Sequence, residues 1–65
     1  MLTQAEFLSR VERFLSTHRV RPSTFGRVAV KDPNFVFDLR KGRVPSLNVA
    51  AAVEQYMTKV ESEAA

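Results

Sequence analysis

The stretch PSTFGRVAVKDPNFVFDLRKG, from Pro22 to Gly42, restricts the fold of this chain more than any other. Pro22 suits the first position of a helix, where its missing N–H is not needed and its fixed φ already fits. Val20, two residues earlier, is placed to pack on Phe25 and set the angle at which the chain enters. The signal recurs at Lys31-Asp32-Pro33. There Asp32 can accept hydrogen bonds from the free N–H groups of a second helix, with Pro33 as its first residue. Gly42 supplies a left-handed stop. Two helices, about 22–30 and 33–41, meeting at so sharp a corner form a helix-turn-helix candidate.

The flanking segments read as two longer helices. Thr3-Gln4-Ala5-Glu6 is a capping box, with Leu2 and Phe7 at the spacing of a hydrophobic staple. Phe7, Leu8, Val11, Phe14 and Leu15 then recur on one face and predict a helix over about 4–17. His18, near its end, is expected at the surface, favoured by the helix dipole. After Val44-Pro45, held extended by the proline, Ser46 or Asn48 can cap a last helix over about 47–62. Val49, Val53, Tyr56 and Val60 form its apolar stripe, with Ala50 and Met57 beside them. Glu61, Glu63 and the terminal alanines are expected to fray. Within the central motif, Phe25, Val28 and Ala29 are expected to face inward. Gly26 sits in a helix interior at a cost of about 1 kcal/mol relative to alanine, which points to a second backbone passing very close.

Composition sets the limits. The 65 residues allow a single domain, 1–65, with a thin core. The absence of cysteine excludes disulfides and thiolate chemistry, and one histidine cannot build the usual zinc site. No apolar run approaches the ~20 residues that span a bilayer, and the start lacks a leader pattern, so no membrane association and a cytoplasmic, nucleoid-associated location are expected. No nucleophile–base set, paired-carboxylate site, phosphate-cradling loop or metal cluster is visible, so neither enzyme activity nor a cofactor is expected.

Charge carries the functional signal. Residues 10–43 hold nine of the ten Lys/Arg against only Glu12, Asp32 and Asp38, so the positive charge lies on the central motif and its approach. That is the electrostatic footprint of a polyanion binder. On the helix over 33–41, Val36 and Leu39 point one way with Phe35 beside them, whereas Asn34, Phe37, Asp38 and Lys41 point the other. Phe35 and Phe37 are two positions apart and cannot both be central to one buried face. An outward Phe37 has three readings: a contact to thymine methyls, an anchor for a protein partner, or a residue covered by the last helix or the next loop.

Phe25, Gly26, Val36 and Leu39, with the tail LRKGRVPSL (residues 39–47), resemble the lambda-repressor-like (Cro/repressor-type) helix-turn-helix proteins. The similarity covers about residues 22–57. More narrowly, the chain is similar to very short bacterial single-domain proteins with a DPxFVxDLRxGRxP-like core. The resemblance implies a compact all-α bundle of four or five helices, with the helix around Asn34–Lys41 in a DNA major groove. Many members place a phosphate-binding glutamine where this chain has Pro22, and a turn glycine near Val30-Lys31.

Sequence-specific binding of double-stranded DNA, as a small transcriptional regulator, is therefore the leading expectation. Arg27, Lys31, Arg40, Lys41 and Arg43 would neutralise phosphates, and Ser23 and Thr24 at a helix start would donate to one. Asn34 would read adenine, Lys41 guanine and Phe37 a thymine methyl. Asp38 would accept from cytosine or orient a neighbouring arginine. So short a reading helix calls for a homodimer on two half-sites. The alternative is a protein-interaction module, a regulatory adaptor or anti-activator, that docks its partner through Phe37 and the basic face.

Overall fold

Thr3 starts the first helix as its spelling requires. Its hydroxyl accepts the Glu6 N–H at 3.2 Å, and the Glu6 carboxylate reaches back to the Thr3 N–H at 3.4 Å. The computed structural model describes residues 3–64; Leu2, expected to staple onto Phe7, lies outside them. The described residues form four helices and no strand: α1 (Gln4–His18), α2 (Pro22–Val30), α3 (Phe35–Arg40) and α4 (Leu47–Ala64). The expectation of an all-α fold of four or five helices is met with four.

One core holds them together. Phe7, Val11, Phe14 and Leu15 come from α1, Phe25 from α2, Phe35, Val36 and Leu39 from α3, and Val53 and Met57 from α4. Val20 packs half-buried against this cluster, at the entry to α2. Phe25 is its centre, with ring centroids 5.5 Å from Phe14, 6.5 Å from Phe35 and 5.5 Å from Tyr56. Such aromatic pairs stabilise by about 0.5–1.5 kcal/mol beyond the area they bury. On α4 the centre of the buried face is Met57, with Tyr56 at its edge.

Gly26 is where the fold is tightest. A Cβ there would meet the Asp32 carbonyl oxygen well inside contact distance, and Phe35 Cβ at 3.1 Å. The close backbone that the sequence called for is therefore the α2–α3 turn itself. This approach rotates the buried arc of α2 toward Gly26 and Val30. Val28, expected inward, is left 54% exposed on the far edge.

The turn also differs from its sequence reading. Asp32 caps, but early: its Oδ1 accepts the Asn34 N–H at 3.0 Å and its carbonyl accepts the Phe35 N–H at 3.1 Å. This side-chain turn uses up Pro33 and Asn34, so α3 starts at Phe35 rather than 33. Downstream, Gly42 (φ +99°) donates to Leu39 O and Arg43 donates to Asp38 O, the paired bonds of a Schellman stop. Ser46, and not Asn48, caps α4, its Oγ accepting the Val49 N–H at 3.2 Å. α4 is helical through Glu61 and Glu63 to Ala64, and Glu61 lies 3.7 Å from Arg10; Ala65, also expected to fray, lies outside the described residues. His18 is half-buried with its ring 4.4 Å from that of Phe14, because the two are four residues apart on one helical face.

Arg19 and Lys31 end α1 and α2 in left-handed geometry, at φ 54° and 58°. That conformation costs a residue with a Cβ roughly 1–2 kcal/mol, part of which glycine returns as unfolded-state entropy. Arg19→Gly is therefore expected to raise stability by about 0.5–1 kcal/mol, measured as a shift in the urea midpoint at unchanged slope. A fall in the midpoint would contradict the assigned helix end.

Candidate nucleic-acid interface

α3 divides cleanly into two sides. Phe35, Val36 and Leu39 are buried, whereas Asn34, Phe37 and Lys41 are exposed and Asp38 is half-buried. Asn34 is the N-cap and Lys41 the C-cap, so the outward row runs the full length of the helix. Phe37 is 41% exposed and is not covered by α4 or by the following loop, which closes the third of its readings. Its ring is flanked by Arg40, whose guanidinium carbon lies 5.8 Å from the ring centroid.

The second helix supplies the basic side. Its solvent face carries Ser23, Arg27, Val28 and Lys31, all exposed, and the half-buried Thr24. No acid occurs in α2, and its N-cap residue Arg21 makes no side-chain capping bond. The first hydrogen bond of the helix joins the Phe25 N–H to Arg21 O, which leaves the N–H groups of Ser23 and Thr24 without a partner among the described residues.

Ion pairs thin out the basic block in a way that no local pattern announced. Arg40 is held by Glu12 of α1 through two hydrogen bonds, Nε to Oε2 and Nη2 to Oε1, both 2.8 Å. The bonded guanidinium keeps the Glu12 carboxyl below the usual carboxylate range and raises Arg40 in turn. Arg43 donates to Asp38 Oδ2 at 3.1 Å. Arg10 bonds Glu54 at 2.9 Å and tethers α1 to α4. Arg13, Arg19, Arg21, Arg27, Lys31 and Lys41 make no ion pair among the described residues. Gln4 is a further residue that sequence reasoning passed over. Its Nε2 donates to Leu39 O at 2.7 Å and ties the start of α1 to the end of α3.

Of the sequence-derived candidates, Asn34, Phe37, Asp38 and Lys41 thus share one side of α3. Ser23, Thr24, Arg27 and Lys31 share the solvent side of α2, and Arg40 and Arg43 flank α3 in ion pairs. A cleft of about 190 Å³ lies between the α2–α3 corner and the α3–α4 connection, lined by Asp32, Phe35, Asp38, Arg43, Pro45 and Val49 among others. That is below the ~300 Å³ usual for a small-molecule site. Among the described residues, no helix is long and apolar enough to cross a membrane. No family model, curated protein or solved structure matches the chain.

Proposed function

We propose that this chain is a sequence-specific binder of double-stranded DNA of the lambda-repressor-like helix-turn-helix type, acting as a small transcriptional regulator. Two observations support the reading: Asn34, Phe37 and Lys41 are exposed along one side of α3, and α2, which packs on α3, carries cations and no acid on its solvent side. A major groove about 12 Å wide admits such a helix. Arg27, Lys31 and Lys41 are the cations free to displace counterions, with Arg43 swinging from Asp38 as the backbone approaches. Ser23 and Thr24 offer backbone and hydroxyl donors to a phosphate at the start of α2. Asn34 reads adenine and Phe37 touches a thymine methyl.

The six residues of α3 rise about 9 Å, enough for roughly three base pairs. Specificity then comes from a homodimer. Such a dimer would place its two reading helices on half-sites ~34 Å, one helical turn, apart. A second reading is favoured by Phe37 alone: an exposed aromatic flanked by an arginine is also the makeup of a protein-binding anchor.

Fluorescence-anisotropy titration of random and selected duplexes at two salt concentrations separates the two. Lys41→Ala is expected to weaken binding to every sequence and to reduce the salt slope by about one. Asn34→Ala is expected to relax preference at one base position while leaving non-specific affinity unchanged. Equal losses on all sequences would remove Asn34 as a reader. Salt-insensitive or undetectable duplex binding would favour the protein-interaction module.

A further inference from the structure

Glu12 lies on α1, outside the helix-turn-helix, yet it takes hold of a cation on the α3 edge. Its carboxylate meets Arg40 with both oxygens at 2.8 Å, across 28 residues of sequence. Each side chain remains about 40% exposed. Although bidentate, a pair this exposed is screened by solvent and must hold two long side chains in one geometry, so its net contribution is modest. It can therefore be exchanged. Arg40 also lies along the Phe37 ring, so a released guanidinium stays at the open side of α3.

We infer that Glu12 sets the affinity of this face for polyanions by competing with phosphate for Arg40. The inference rests on the proposed DNA-binding reading but concerns a residue that reading does not use. With Glu12 ionised, a phosphate at the α3 edge must displace a carboxylate already bonded at both oxygens. With Glu12 neutral, Arg40 is available and one more counterion is released on binding. Glu12 acts here as a positioning residue, through Arg40 and not through contact with the nucleic acid.

Two features distinguish this from a plain change in net charge. The gain must depend on Arg40, and it must appear in the salt slope. Glu12→Gln keeps the side-chain volume and removes the charge. It is expected to tighten binding about five-fold at moderate salt, and to steepen the dependence of log affinity on log salt by about one. In the Arg40→Ala background the same substitution is expected to change neither quantity. Melting temperatures of all four proteins establish that the comparison is between folded chains, and Glu12→Asp provides a second variant that retains the charge and shortens the reach.

The measurement uses two probes, a random duplex by anisotropy and inorganic polyphosphate by calorimetry. An Arg40-dependent gain with either probe supports the inference. Equal gains with and without Arg40, or no gain with either probe, overturn it. Failure of the DNA-binding reading looks different. In that case the unsubstituted chain binds no duplex, while an Arg40-dependent gain on polyphosphate persists.

Discussion

Gly26→Ala is expected to cost about 3 kcal/mol, enough to abolish the cooperative unfolding transition or to lower it far below that of the unsubstituted chain. The sign is what makes the experiment informative. In an ordinary helix interior the same change stabilises by roughly 0.5–1 kcal/mol, because glycine is the poorer helix former. Here the added methyl would overlap the carbonyl oxygen of Asp32. That carbonyl is held in place: it accepts the Phe35 N–H at 3.1 Å, and the Asp32 N–H in turn bonds Gly26 O at 3.1 Å. Relieving the overlap means opening the turn that sets α3 against α2. Circular dichroism on heating decides the matter, and an alanine variant more stable than its parent would refute the close approach.

Phe25→Ala carries an equally large expectation by a different route. Phe25 is fully buried and touches three other aromatic rings, so its loss removes both the apolar area and the ring pairs around it. Removing a buried phenylalanine costs about 3–5 kcal/mol. A domain of this size draws only about 3–5 kcal/mol from its core, so the variant is expected to be unfolded at room temperature. Phe37→Ala on the exposed side is the internal control, expected within about 0.5 kcal/mol of the parent in urea denaturation. Similar losses for the two would mean that α3 is turned about its axis with Phe37 buried instead of exposed.

What the sequence displays well is whatever a few neighbouring residues decide. The Thr3–Glu6 box, Pro22 at the head of α2 and Gly42 after α3 each act within a turn of chain, and each lies where its chemistry places it. The outward direction of Phe37 follows from the 100° step alone, since Val36 and Leu39 had to face the core. Some misplaced features are local too, since His18 meets Phe14 one turn back on the same helix and the Asp32 turn delays α3 to Phe35, but others depend on a distant neighbour's position. Val28 turned outward because the α2–α3 turn came in over Gly26. The candidate interface shows the same division. Its exposed row on α3 was legible, but the tether from Gln4 to Leu39 and the clasp of Glu12 on Arg40 join residues 35 and 28 positions apart. No local pattern encodes which of several acids a surface arginine finds. The free cations could therefore be separated from the neutralised ones only with the helices in place.

In the proposed complex, the open side of α3 and the cationic side of α2 together meet a duplex. Amide and side-chain NMR shifts recorded while a short duplex is titrated into the labelled chain test it most directly. The largest changes are expected on Asn34, Phe37, Lys41, Arg27, Lys31 and the Ser23–Thr24 amides, and they are expected to shrink as salt is raised. Changes centred on the outer faces of α1 and α4, with Asn34 and Phe37 unmoved, would contradict it.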